Sequence, residues 1–265
     1  MKTWVKARLR TSGRAAALVV LLVFAGAGCS AASDPMPAKT SPAATTPSTP
    51  VPTDAAGEPI VRPACAETGD GNYLHAAGPT RLTPVLLLGQ GPRGVVVGGQ
   101  ANGGICQMLP FGRDLASKGY HVAVFDWTTP YGEAMAAATG ALIADGATKV
   151  VLGGFSRGAL VGLGVAPSLR SPVVGVFSVS GGPSSSEGFA TVASLSQFRG
   201  PILLVGSVED PLFPGATTAA IAEAHTGPET VLTLPGSSHA LALLRGPDAT
   251  RVQAAVDQFL DQVLR

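Results

Sequence analysis

The sequence predicts an α/β fold in which a mainly parallel sheet carries helices on both faces. Three observations predict it. From about residue 82 to the C-terminus, short apolar runs alternate with segments of helical period, the mark of repeated strand–helix units. About 200 residues follow an N-terminal leader and linker, enough for one well-buried domain. Third, the run Val150, Val151, Leu152 turns through Gly154-Phe155-Ser156-Arg157-Gly158 into a small-residue helical pattern at Ala159, Leu160, Val161, Leu163 and Ala166. A net charge of +1 with 13% charged residues leaves no clustered Lys and Arg surface of the kind nucleic acids require. The low aromatic content, 5%, suits many tightly packed strand–helix units and says nothing about a ligand.

The chain divides into three parts, residues 1–29, 30–63 and 64–265. Lys2, Lys6, Arg8, Arg10 and Arg14 form a basic start before the apolar run Ala15 to Ala27. That run is short for a membrane span and ends in small residues, so it reads as an export signal. Its end, Phe24-Ala-Gly-Ala-Gly-Cys29-Ser, resembles the lipobox of bacterial lipoproteins, with Gly26 where Leu is usual. The resemblance implies a lipidated, palmitate-carrying Cys29 and an anchor on the outer face of the cell membrane. The alternative is a plain secretory signal. From Ala31 to about Pro63 the chain is Pro, Thr, Ser and Ala without apolar periodicity, a composition that cannot offset its ordering entropy and reads as a tether.

An exported chain meets an oxidising compartment. Setting aside Cys29, the two remaining cysteines, Cys65 and Cys106, form a candidate disulfide closing a loop of about 40 residues. The alternative is two unpaired buried thiols. Neither lies in a CxxC or metal-ligand spacing, and the four histidines are scattered, so no metal or organic cofactor is expected.

Within the domain, Leu82–Leu88 and Val95–Gly98 read as strands joined by Gly89-Gln-Gly91-Pro-Arg-Gly94. The joint spells GxGxxG, but a dinucleotide fingerprint must open a helix whose N-terminus meets the pyrophosphate. Pro92 and Val95, Val96, Val97 follow instead, so a hairpin turn is expected. Next come a helix over Leu109–Lys118 ended by Gly119, a strand over His121–Phe125 and a helix over Tyr131–Ala144. After the Ser156 turn, strands are expected at Val173–Val179, Ile202–Val205 and Thr230–Leu234. Helices are expected at Ser184–Gln197, Ala216–His225 and Asp248–Leu264, the last with the stripe Val252, Val256, Phe259, Val263.

Gly-x-Ser-x-Gly between strand and helix is the nucleophile elbow of serine hydrolases, a turn so sharp that side chains at its flanks would collide with neighbouring backbone. The spacing alone arises by chance in roughly a third of chains this rich in Gly and Ser. Context raises it. Pro201-Ile-Leu-Leu-Val-Gly206 leads into Ser207-Val-Glu209-Asp210-Pro211-Leu-Phe-Pro214, and Leu234-Pro-Gly236-Ser-Ser-His239 follows the next strand. From about Pro84 to Arg265 the chain thus resembles an α/β-hydrolase of the dienelactone hydrolase and esterase kind, with Ser, Asp and His in that family's order.

The resemblance implies Ser156 as nucleophile, His239 as its base, and Asp210 as the carboxylate that fixes the imidazole tautomer. Glu209 fits the acid position if spacing is counted from Gly206. An oxyanion hole is implied from the Arg157 N–H and the loop Gly98-Gly99-Gln100-Ala101-Asn102-Gly103-Gly104, with Gln100 the expected donor and Ala101 the next. His121, at a strand start, and His225, at a helix end, are expected at the surface or as caps. About twenty residues separate Val179 from Pro201, too few for an inserted cap domain, so an open site for small or extended ester substrates is expected. Trp127 and Tyr131 suit either its lining or the core. Two other functions use the same fold: peptidase or acyltransferase chemistry on the same triad, and a non-catalytic binding module.

Overall fold

The computed structural model describes residues 53, 57, 59–169, 172–184 and 189–265. The expected signal segment with Cys29, and most of the expected linker, lie outside the described residues. The domain opens with β1 (Asn72–Ala77), β2 (Leu82–Leu88) and β3 (Arg93–Gly98). It then runs through α1 (Ile105–Ser117), β4 (His121–Phe125), α2 (Tyr131–Ala144), β5 (Lys149–Phe155), α3 (Arg157–Val165) and β6 (Val173–Val179). It closes with α4 (Val192–Leu195), β7 (Ile202–Ser207), α5 (Gly215–Ala224), β8 (Glu229–Leu234) and α6 (Ala249–Val263).

The eight strands form one sheet in the order β1-β2-β4-β3-β5-β6-β7-β8. The pairs β1·β2 and β2·β4 are antiparallel, and every pair from β4·β3 to β7·β8 is parallel. Strand side chains alternate between faces, so the apolar runs feed two separate layers. Val95 and Val97 of β3 lie in one apolar layer with Met108 and Leu115 of α1 and Val252 and Val256 of α6. Val96, between them, packs with Met135 and Leu142 of α2 and Val161 of α3. Each fully buried Val or Leu contributes about 1.5–3 kcal/mol over its exposed state, so these central strands hold both layers.

The architecture is the expected one, and four local expectations are corrected. The Gly89–Gly94 joint is not a hairpin, because β4 lies between β2 and β3 in the sheet. β2 instead runs antiparallel to β4, with Val85 opposite Phe125, and adjacency in sequence does not give adjacency in the sheet. Helix α1 begins four residues before Leu109 and carries Pro110 inside it. Its first N–H, on Ile105, donates to Asp126 Oδ1 at 2.8 Å, so the cap comes from the end of β4 rather than from the preceding residue.

The helix expected over Ser184–Gln197 is only Val192–Leu195, started by Thr191, whose Oγ1 accepts from the Ser194 N–H. Residues 185–188 of that expectation lie outside the described residues. Finally, His121 is buried rather than at the surface, whereas His225 takes its expected place as the C-cap of α5 and is buried as well. His121 is fully enclosed with its nitrogens at 3.2 Å from the Gly91 carbonyl and 3.0 Å from Asp145. His225 meets the Gly200 and Leu195 carbonyls and stacks on Phe198. A histidine at a strand or helix end is buried when both ring nitrogens find partners there.

Cys65 and Cys106 are joined by a disulfide, Cα atoms 5.6 Å apart, tying the segment before β1 to the first turn of α1. Among the described residues, no helix is long and apolar enough to cross a membrane.

Candidate active site

Ser156 lies between β5 and α3 with φ 53° and ψ −109°. A non-glycine residue held there stores about 1–3 kcal/mol of strain, sustained only where the surroundings over-determine it. The surroundings are on both sides. The Ser156 N–H donates to the Val179 carbonyl at 2.9 Å, and its own carbonyl accepts from Leu160 of α3 at 3.0 Å. Close glycine packing makes the turn possible. A Cβ on Gly154 would stand 2.3 Å from the Gly98 carbonyl oxygen, and one on Gly158 only 2.0 Å from it. The glycines flanking the serine therefore let the elbow press directly onto the end of β3.

The expected acid and base, Asp210 and His239, stand on the loops after β7 and β8, at the same end of the sheet. His239 Nδ1 lies 2.8 Å from Asp210 Oδ2 and 3.0 Å from Oδ1. An ionised carboxylate only accepts, so Nδ1 carries the proton and Nε2 is left with the lone pair. Nε2 is buried and makes no hydrogen bond in this structure. The imidazole stacks on Phe213 at 6.1 Å between centroids, which further fixes its plane. Ser207 Oγ donates to the Ser238 carbonyl at 2.7 Å, fastening the end of β7 to the histidine loop.

The structure brings Asp210, and not Glu209, onto the imidazole. Asp210 is 2% exposed, whereas the neighbouring Glu209 is exposed. The Asp-Pro turn explains the difference: Asp210 Oδ1 accepts the Leu212 and Phe213 N–H groups at 2.9 and 3.0 Å, which turns the carboxylate inward. Burial pushes the Asp210 carboxyl up. The Phe213 N–H, His239, the Leu212 N–H and the Ser180 hydroxyl together outweigh it, holding the group below its ordinary value. Asp210 is thus a charged carboxylate at neutral pH.

The oxyanion side differs from expectation. The Gln100 N–H donates to Gln107 Oε1 of α1 at 2.8 Å, so the expected donor is already partnered. No local motif signals this contact, because the Gln107 side chain reaches back seven residues from inside a helix. The Gln100 carbonyl accepts from Gly103 N–H at 3.0 Å and from the Trp127 indole at 3.2 Å, which closes the loop on itself. Arg157 is the first residue of α3, and its N–H therefore has no acceptor within the helix. Its guanidinium donates to the Ala101 carbonyl and lies over the Tyr131 ring, 4.1 Å from the centroid.

Arg157 also borders a cleft of about 570 Å³ that Arg81, Asn102, Trp127 and Tyr131 line. Trp127 and Tyr131 line this cleft, and each also packs against the core. Among the described residues, no group of three or more His, Cys, Asp or Glu side chains is placed to hold a metal ion.

Residues 137–242 match the family model described as phospholipase/carboxylesterase, a span that includes Ser156, Asp210 and His239. No curated protein matches the sequence. Among solved structures, an esterase from Pyrococcus furiosus is similar over 73% of this chain and 90% of its own, with 14% identity and a TM-score of 0.64. A dienelactone hydrolase from Anabaena variabilis is similar over 73% and 98%, with 16% identity and a TM-score of 0.61. An acylaminoacyl peptidase from Pyrococcus horikoshii is similar over 73% of this chain and 41% of its own, at 10% identity and a TM-score of 0.60. At these identities the likeness is one of fold.

Proposed function

We propose that this chain, an α/β-hydrolase by fold, is an exported serine hydrolase that cleaves carboxylic ester or related acyl bonds through an acyl-enzyme on Ser156. The observation that carries the reading is the state of His239. Its Nδ1 proton is committed to a buried, charged Asp210, and the Nε2 lone pair is left unpartnered. Catalytic hydrogen bonds tighten when substrate binds, so an unpartnered Nε2 suits a base awaiting its proton.

In this mechanism Ser156 Oγ attacks the ester carbonyl carbon as Nε2 takes the hydroxyl proton. Asp210 stays ionised and stabilises the imidazolium. The Arg157 N–H and a second amide from the 98–104 loop receive the developing oxyanion. With the Gln100 N–H engaged, the next amide, that of Ala101, is assigned this role. The C–O bond to the alcohol then breaks, and Nε2 returns the proton to the leaving oxygen. Water, deprotonated by the same nitrogen, attacks the acyl carbon and releases Ser156. The proposed setting is the outer face of a membrane, through a lipid on Cys29.

Labelling with a fluorophosphonate tests the reading. The parent chain is expected to label once, and Ser156→Ala not at all. An unlabelled, folded parent would favour the binding module. The likeness to an acylaminoacyl peptidase motivates a second reading, an amide substrate, which an ester-against-peptide panel separates from the first.

A further inference from the structure

The oxyanion loop is pinned one peptide plane at a time. The Gly99 carbonyl accepts the Gly158 N–H of α3 at 3.0 Å, and the Gln100 N–H of the same peptide donates to Gln107 of α1 at 2.8 Å. In the next plane the Gln100 carbonyl accepts the Trp127 indole N–H at 3.2 Å and the Gly103 N–H at 3.0 Å. The Ala101 carbonyl, in the third, takes the Arg157 guanidinium. Of the backbone N–H and carbonyl groups of Gln100 and Ala101, only the Ala101 N–H has no partner among the described residues.

A trans peptide is planar, so its carbonyl and its N–H point in opposite directions, and fixing one aims the other. The Gln100 carbonyl and the Ala101 N–H share one such plane. The Gly103 bond belongs to a turn within the loop and travels with it, whereas the indole ties that carbonyl to the end of β4, outside the loop. The indole is itself held. Trp127 stands two residues beyond β4, half-buried, with its ring T-shaped to Phe125 at 4.8 Å and to Tyr131 at 5.8 Å between centroids. A Cβ on Gly98 would stand 3.0 Å from Trp127 Cζ2 and 2.8 Å from Gly158 Cα, so glycine at the end of β3 admits both the indole and the elbow.

We propose that Trp127 is a positioning residue of the oxyanion hole, its indole N–H holding the Gln100–Ala101 peptide so that the Ala101 N–H faces the developing oxyanion beside the Arg157 N–H. The inference rests on the serine-hydrolase reading above, with Ala101 as the second donor. It gives Trp127 a role apart from lining the cleft or filling the core. Without the indole N–H the plane is free to rock about the Gln100 and Ala101 backbone bonds, and the amide loses its fixed aim. Such a donor acts on the tetrahedral oxyanion more than on the planar ester, so the loss falls on kcat and spares KM. Asp210 and His239 lie outside these contacts, so the acidic limb of kcat/KM stays in place.

The test replaces Trp127 in the full chain by benzothienylalanine, which keeps the ring shape and puts sulfur where the indole N–H was, beside Trp127→Phe. With p-nitrophenyl acetate, both are expected to lose about tenfold in kcat, less than removal of a whole oxyanion donor, with KM within about twofold of the parent. Heptyl trifluoromethyl ketone supplies a readout that ring packing alone does not move. Ser156 Oγ adds to its carbonyl carbon, the hydroxyl proton passes to His239 Nε2, and the negative oxygen left on the hemiketal occupies the oxyanion hole. Its inhibition constant is expected to rise by the same factor as kcat/KM falls. A purely structural tryptophan would leave the benzothienylalanine protein with the parent's kcat and inhibition constant, and that result overturns the proposal whatever Trp127→Phe does. A loss in kcat without weaker binding of the ketone overturns it too. Should Trp127→Phe unfold the chain, the benzothienylalanine protein carries the same reading. A parent that neither hydrolyses the ester nor labels with fluorophosphonate overturns this inference together with the hydrolase reading, whereas an active parent with an unchanged benzothienylalanine protein overturns this inference alone.

Discussion

The two sides of the Ser156 elbow are held in different ways. On the acid–base side, Asp210 is buried, takes two backbone N–H groups through a tight turn, and meets an imidazole that is itself stacked on Phe213. The polar contacts there lie within or between the neighbouring loops at the ends of β6, β7 and β8. On the oxyanion side, a glycine-rich loop closes on itself and is braced by three side chains from elsewhere, Gln107, Trp127 and Arg157. The first side is fixed by local turn chemistry that accompanies its residues in sequence. The second depends on long side chains arriving from other elements. Dense local fixing suits a charge pair whose geometry must hold through the reaction, whereas a braced glycine loop lets backbone amides approach a substrate closely.

Breaking the acid–base side should have the largest effect. In Asp210→Asn the amide NH₂ can donate to Nδ1, which forces the proton onto Nε2 and removes the base. The expected loss in kcat is about 10⁴-fold, since the wrong tautomer leaves only the oxyanion contacts and substrate binding. Steady-state ester hydrolysis measures it. The same variant tests the electrostatics. Asp210 titrates below its ordinary value of 3.8 in the folded chain, so it contributes stability above that pH and loses it as pH falls through the folded value. Acid unfolding of Asp210→Asn is therefore expected to be shallower than that of the parent in that window. An equally steep curve would mean that the carboxylate gains nothing from its donors.

Loosening the oxyanion side should cost less. Arg157→Met keeps the backbone N–H and removes the guanidinium from both the Ala101 carbonyl and the Tyr131 ring. Removing a whole oxyanion donor costs about 10²–10³ in kcat, so losing only a brace is expected to cost about tenfold. The acidic limb of the pH profile should stay where it is, because no donor to Asp210 has changed. A loss as large as that of Asp210→Asn would erase the distinction between the two sides.

The same distinction governs how much of the molecule is legible in its sequence. The central parallel strands are legible because they are buried on both faces and read as unbroken apolar runs, such as Val150 to Leu152. Ser156, Asp210 and His239 carry local turn signals that can be read without the fold. β1 is not legible, since Asn72-Tyr-Leu-His-Ala-Ala is an edge strand, largely exposed or half-buried, with no clean alternation. Nor is the placement of β4 between β2 and β3, a choice made by sheet pairing rather than by any residue in the joint. The bracing roles of Gln107 and Trp127 are invisible for a related reason. Each acts through one hydrogen bond to a residue distant in the chain or carried by another element, and neither stands in a motif.

The smallest expected effect on catalysis lies outside both sides. The Cys65–Cys106 bridge joins residues 41 positions apart, one of them in the first turn of α1. In the loop-entropy model, closing a loop of that length restricts the unfolded chain by about 4 kcal/mol. Reducing the bridge, or making the double variant Cys65→Ser with Cys106→Ser, is therefore expected to lower the melting midpoint by several degrees and leave kcat near the parent value. Urea unfolding with a parallel esterase assay reads both quantities. Yet Cys106 is only one residue from Gln107, whose amide oxygen holds the Gln100 N–H. If the bridge also sets the start of α1, its loss will reach the oxyanion loop, and kcat will fall with stability. An unchanged kcat would show that α1 is set at this end by Asp126 on the Ile105 N–H, and that the bridge acts on the unfolded chain alone.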